Sequence, residues 1–319
     1  MKRFKNILYY SDGKDAHRPA LRIAMDLARS NQARLTVLGV IERFHGSHHI
    51  HGKVDSSVDL HDLALRDFRT GLEHLTGPMR DGDVPVEVDV RWGTPFLEVI
   101  RAVLMHKYDL VMLASDGKGG KQQLLGSTGL RLMRKCPCPV WVVNESHRKF
   151  KRILAAVNPD PYDEEHQGVN RQVMELATSL ARIEKSELQI VHVWNVQGEE
   201  ALRRWHIHLP AETVDRVVAE TEEDHRTWLN DLLAKHSFRG IPHKIHMPRG
   251  APCEKIISLA AKNRIDLIVM GTVGRSGIPG FIMGNTAETV LANVRCSVLA
   301  VKPDGFVTPV KPDEDSIQI

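Results

Sequence analysis

The stretch Ile265-Asp266-Leu267-Ile268-Val269-Met270-Gly271-Thr272-Val273-Gly274-Arg275-Ser276-Gly277-Ile278-Pro279-Gly280-Phe281-Ile282-Met283-Gly284-Asn285-Thr286 decides the fold. It opens on a short apolar run rich in Ile, Val and Leu, the composition of a strand buried on both faces. Glycines follow, and the stretch closes on small polar residues ahead of a helical pattern, Thr286 to Asn293, that puts Val290 and Leu291 on one face. Strand, glycine-rich turn and helix in that order are the building unit of a parallel α/β sheet.

Working outward, the same unit occurs earlier. Ile265 to Met270 answers to Tyr108 to Leu113, and Cys296 to Val301 answers to Cys138 to Val143. Phe150 to Leu154 answers to Phe4 to Leu8, and Glu187 to Val193 to Arg34 to Val40. Gly250-Ala251-Pro252 answers to Gly93-Thr94-Pro95. The spacings between partners are 146, 153, 157, 157 and 158 in chain order, so the segments keep their order and differ by small loop insertions. Helical patterns lie between the strands: Pro19 to Ser30 with Leu21, Ala24, Met25 and Ala28 on one face, and Pro252 to Lys262 with Ile256, Ile257 and Leu259. The expectation is two tandem doubly wound parallel-sheet domains, residues 1–146 and 147–302, followed by a polar, mostly solvated tail, 303–319.

Composition bounds the rest. A chain of 319 residues accommodates two such domains. Formal charge is +3, from 43 basic and 40 acidic residues, too balanced to signal nucleic-acid binding. No apolar run is long enough to span a membrane, and the basic start, Met1 to Asn6, is followed by an apolar stretch too short for a signal peptide. Four cysteines are too few for a secreted disulfide framework. A cytoplasmic protein is expected.

The glycine stretch carries the most specific chemistry. Gly271 and Gly274 have two residues between them, and Gly274 and Gly284 have nine. Glycines let a phosphate approach backbone N–H groups, and the helix starting near Asn285 or Thr286 offers further N–H groups and the positive end of its dipole. A flexible surface loop is the other reading of the same residues. The Walker A pattern and the dinucleotide fingerprint after the first strand are both absent.

Taken together, Ile153 to Asn158, the Gly250-x-Pro252 turn, Gly271-x2-Gly274-x9-Gly284-Asn285 and Arg295-Cys296-Ser297-Val298 resemble the universal stress protein family, in both copies and over nearly the whole chain. Gly271 to Arg275 with Gly284 to Glu288 is similar to its tandem bacterial members. The resemblance implies an adenine nucleotide alpha-hydrolase-like fold with five parallel strands per copy. It implies that the copies pack as a pseudo-dimer through their last strands, leaving any further homodimer to another surface. It also implies ATP or a related nucleotide as ligand, and a regulatory or protective role in the stress response.

Carried over, the family's phosphate loop falls on Gly271, Gly274, Gly284 and Asn285, with Arg275 and Thr286 in the same segment. The strand-one contact, usually Asp, falls on Asn158, and the strand-two contact on Val193. In copy one Ala114 stands at the position of Gly271, only eight residues separate Gly117 from Gly126, and Asp12 is retained where copy two has Asn158. Copy two is therefore the expected nucleotide site, with no catalytic residue assigned. Slow ATP hydrolysis or self-phosphorylation is one alternative, with Asp160 and Asp163 as acids in reach, though they read as solvated turn residues. Metal binding by His45, His48, His49 and His51, with His206 and His208 in the matching region, is another. His192 reads as a buried strand histidine, and His243 and His246 fall on opposite strand faces. Cys138 and Cys296 read as small buried residues. Cys136 and Cys253 have a C-x-C and a helix-start position, with packing preferred to chemistry. Ala201, Leu202, Trp205, Ile207 and Leu209 read as a helical face or an apolar wall of the copy-two pocket.

Overall fold

The computed structural model describes residues 3–14, 17–42, 60–79, 84–115, 125–144, 149–196, 198–199, 210–272 and 283–312. Two compact units are present, one built on Met1–Arg148, the other on Lys149–Ser276 with Met283–Gly305. The first runs β1 (Asn6–Ser11), α1 (Arg18–Asn31), β2 (Arg34–Ile41), α2 (Leu60–Thr76), β3 (Val86–Trp92), α3 (Pro95–His106), β4 (Leu110–Ala114), α4 (Ser127–Lys135) and β5 (Val140–Val143). Its sheet order is β3-β2-β1-β4-β5, parallel throughout. The second runs β6 (Arg152–Ala156), α5 (Glu164–Glu184), β7 (Glu187–Val191), α6 (Ala211–Ala234), β8 (His243–His246), α7 (Pro252–Lys262), β9 (Leu267–Gly271), α8 (Asn285–Asn293) and β10 (Ser297–Val301). Its order is β8-β7-β6-β9-β10, again parallel. Among the described residues each unit is a five-stranded doubly wound sheet, as the resemblance implies.

Local chemistry explains the shared plan. The central strands β4 and β9 are buried nearly throughout, which is why they read as unbroken apolar runs. The acid before each of them has one job in both copies. Asp109 accepts the backbone N–H groups of Lys5 and Asn6 at 2.7 and 3.1 Å, and Asp266 accepts that of Arg152 at 2.8 Å. Each carboxylate thus ties its strand to the start of the first strand of its unit. Gly93 and Gly250 sit at φ +150° and +139°, turning the chain from the third strand into a helix with Pro95 or Pro252 in its first turn. A Cβ at these glycines would meet the flexible side chains of Glu98 and Lys255, so it is the dihedral that demands glycine.

The helices expected over Pro19 to Ser30 and Thr286 to Asn293 each extend slightly further, to Arg18–Asn31 and Asn285–Asn293. The start of the expected tail is held to the second unit: Asp304 accepts hydrogen bonds from Arg171, at 2.9 Å, and from Gln172, both on α5. The described tail beyond it is mostly exposed. No helix among the described residues is long and apolar enough to cross a membrane.

Candidate functional site

In the second unit the strand order reverses between β6 and β9, and a crevice opens at their carboxyl ends. A cavity of about 590 Å³ lies there, within the usual range for small-molecule sites. Of the residues singled out from sequence, Asn158, Val193, Gly271, Gly284, Asn285 and Thr286 all line it. Gly274 and Arg275 lie outside the described residues, as do His45, His48, His49, His51, His206, His208 and the stretch Ala201 to Leu209.

Helix α8 forms one end. Gly284 is its N-cap, at φ −62° and ψ 143°, and has no side chain with which to cap the helix. The Gly284 N–H donates to the Thr272 carbonyl at 3.1 Å, and the Gly284 carbonyl accepts the Glu288 N–H at 3.0 Å. Thr272 is itself fixed, its N–H donating to the Val301 carbonyl at 3.1 Å. The first N–H groups of α8, those of Asn285, Thr286 and Ala287, precede any intrahelical acceptor and border the cavity. N–H groups at the positive end of a helix dipole can hold an anion, the chemistry that the glycine spacing points to.

Gly271 has a second reason to be glycine. A Cβ there would lie 2.4 Å from Cγ1 of Val169 on α5, a side chain only 2% exposed. The helix packs directly on the end of β9.

The loop after β6 supplies the polar wall. The backbone of Asn158 is clamped by one side chain: Asn170 accepts its N–H at 2.9 Å and donates to its carbonyl at 2.6 Å. Asp160 also lines the cavity, and its carboxylate accepts the Tyr162 N–H at 2.9 Å. It is a turn residue, as read from sequence, yet one that faces the pocket.

The aromatic wall was missing from the sequence reading. Trp194 follows Val193, and His225 and Trp228 project from α6 on the stripe that also carries Leu229 and Leu232. The His225 ring lies 4.7 Å from that of Trp228 and 5.9 Å from that of Trp194. Behind them His192 is fully buried, with Nδ1 3.3 Å from the Val157 carbonyl oxygen and Nε2 2.8 Å from His225 Nδ1. Burial, then the neighbouring His225, lowers the pKa of His192 from 6.5 to about 4, against the opposing pull of the Val157 bond and Asp160. Burial lowers His225 as well. Spacing along the chain carries no sign of this pair, because α6 reads as an ordinary amphipathic helix.

The matching corner of copy one is built differently. Gly39 stands at the repeat position of His192, and Phe68 of α2 packs on it so closely that a Cβ at Gly39 would lie 2.3 Å from the ring. The same ring covers Gly13. Asp12 is engaged by Lys14 and, at 3.0 Å, by His17. Burial raises its carboxyl, but these hydrogen bonds outweigh burial and hold it well below the usual carboxylate range.

The other sequence-marked residues sit apart from the cavity. His243 stacks on Phe238, and His246 Nε2 lies 3.0 Å from Gln189 Oε1. Cys138 and Cys296 are buried, and burial pushes the Cys296 thiol up to about 12. Cys136 is buried too, its sulfur 3.6 Å from that of Cys138. Among the described residues no group of three or more His, Cys, Asp or Glu side chains is placed to hold a metal ion.

Two copies of one α/β unit, with a helix-terminated crevice in the second, are matched by known proteins. The model of the universal stress protein family fits residues 3–144 and again 149–302. The chain belongs to the universal stress protein family, with two family domains in tandem. Universal stress protein E of Escherichia coli K12 is 28% identical, with 99% of both chains covered. The universal stress protein E homolog of Haemophilus influenzae is 24% identical over 94% of this chain and 98% of that one. Among solved structures, the functionally unknown protein PA1789 of Pseudomonas aeruginosa superposes with a TM-score of 0.70, at 23% identity and 95% and 94% coverage, a likeness of fold.

Proposed function

We propose that the second domain binds ATP or a related nucleotide, and that the chain acts as a nucleotide-binding regulatory or protective module of a cytoplasmic stress response. One observation carries the reading: a single cavity of about 590 Å³ joins the glycine-started N-terminus of α8 to Asn158 and Val193 at the strand ends. In this reading the phosphates meet the N–H groups of Asn285, Thr286 and Ala287. Gly274 and Arg275 complete the phosphate loop from the segment beyond Thr272. Asn158 replaces the family's charged contact with a neutral amide, on a backbone held in place by Asn170. The base lies toward Val193 and the aromatic wall.

The experiment is to purify the full chain, extract its bound small molecules for mass spectrometry, and titrate the stripped protein with ATP by calorimetry. A released adenine-nucleotide species and saturable binding are expected. An empty extract together with no heat of ATP binding would remove the reading. Turnover is the second reading, favoured by Asp160 on the cavity wall. A hydrolysis assay with Asp160→Asn as the control decides it, and under the binding reading neither protein turns ATP over.

A further inference from the structure

One corner of the cavity holds groups that phosphate binding leaves unused. It consists of His225, Trp228 and Trp194 on the wall, with His192 behind them. When both imidazoles are neutral, the protons along this chain of contacts have one arrangement. A carbonyl oxygen only accepts, so His192 Nδ1 carries the hydrogen that meets Val157. His192 Nε2 is then a bare lone pair and accepts from His225 Nδ1–H at 2.8 Å. That uses the single proton of His225, whose Nε2 is left as an acceptor.

The surrounding charges fit this state. Burial lowers the pKa of both rings, and His225 lowers that of His192 further. Asp160, from the loop after β6, pulls both back up, and Asp224, on α6 itself, does the same to His225. Copy one shows that the corner needs no polar group to be filled, since Gly39 and Phe68 fill it with apolar atoms. Copy two instead places two imidazoles there, one completely buried, where an unmatched polar atom is costly.

We propose that His225 Nε2 is a specificity-determining acceptor in the second-domain cavity, taking an N–H or O–H donor of the ligand, and that His192 is a positioning residue that fixes the His225 proton on the opposite nitrogen. The inference rests on the nucleotide reading and deepens it. The ligand is a nucleotide whose base amine or sugar hydroxyl reaches the wall of Trp194, His225 and Trp228. An analogue without that donor leaves the His225 lone pair unpaired in a partly desolvated corner and is rejected.

The test uses the full chain and three probes: ATP, the purine ribonucleoside triphosphate without the exocyclic amine, and 2′,3′-dideoxy-ATP. Calorimetry on the wild type is expected to show a loss of roughly tenfold or more for one of the two analogues, the penalty of a missing hydrogen bond. In His225→Phe, which keeps a ring against Trp194 and Trp228, ATP and that analogue bind alike. In His192→Phe ATP still binds, but the discrimination shrinks because the His225 proton is no longer directed. The wild type provides a check free of mutation. Lowering the pH until His225 gains a second proton turns Nε2 from acceptor to donor, and the analogue penalty fades. Titration of the triphosphate is common to both probes and cancels in their ratio. ATP binding with no penalty for either analogue would overturn this inference alone, as would a penalty that survives in His225→Phe or stays constant with pH. Absence of ATP binding to the wild type would overturn it together with the nucleotide reading.

Discussion

His192 is a residue whose charge state the fold dictates. It has no exposure to water, and its pKa falls from 6.5 to about 4. Between those two values the unfolded chain binds a proton that the folded chain refuses. The resulting stability is fully present above pH 6.5 and is lost as pH falls toward 4. A shift of that size corresponds to roughly 3 kcal/mol at most. In His192→Gln, where no proton is at stake, urea unfolding followed from pH 7 to pH 4 is expected to show a shallower loss than in the parent. Equal slopes would mean that His192 does not hold its neutral form in the folded chain. Sequence alone reads His192 as a buried strand histidine, and it is buried, one residue past the end of β7. It gave no sign of His225, whose partner is 33 residues away and whose own helix has an ordinary apolar stripe.

At the level of elements, two glycines of the same stretch do different work. Gly271 faces α5, where a methyl group would meet Val169 at 2.4 Å. Gly271→Ala is expected to destabilise the chain by about 1–3 kcal/mol, the usual cost of overpacking. Val169→Ala in the same chain should recover most of that, since the two sites share one contact. A denaturation series on the two single variants and the double variant measures the coupling. Gly284 is the opposite case. Its φ of −62° and ψ of 143° suit any residue, so Gly284→Val leaves the fold in place. It also sets a branched side chain beside the N–H groups that the proposal gives to phosphate. The expected result is an affinity for ATP lower by roughly tenfold or more, with an unchanged midpoint of unfolding without nucleotide. Wild-type affinity in Gly284→Val would detach α8 from the binding reading. The glycine spacing therefore located this region but conflated two causes. A close approach between helix and strand looks the same in sequence as a close approach of ligand to backbone.

Across the whole chain the two copies share a plan and differ in what occupies their crevices. Periodic apolar runs, the turns at Gly93 and Gly250, and the ordered spacing of the repeats make the two copies and their parallel sheets legible, while the strand count comes from the family resemblance. The filling of the first crevice was not legible, because Phe68 reads as one more apolar residue of α2. Among the described residues of copy one, that ring lies over Gly13 and Gly39, Asp12 is tied to Lys14 and His17, and Ala114 replaces a glycine, so the proposal gives the ligand to copy two. Calorimetry on the full chain is expected to give one nucleotide per chain, and two equal sites would contradict this account.

The clasp at the base of the glycine stretch has a consequence of its own. The Thr272 carbonyl and the Gly284 N–H meet at 3.1 Å, so the two ends of the glycine stretch are joined at one point. For a tether whose ends are already joined, added length carries a small entropic cost, about 0.6 kcal/mol per doubling. The span between the glycines can therefore lengthen or shorten, as between nine residues here and eight in copy one, without disturbing the platform that anchors it. Refitting such a site to a larger or smaller ligand is then a matter of insertion and deletion in one strap, while the surrounding architecture is inherited unchanged.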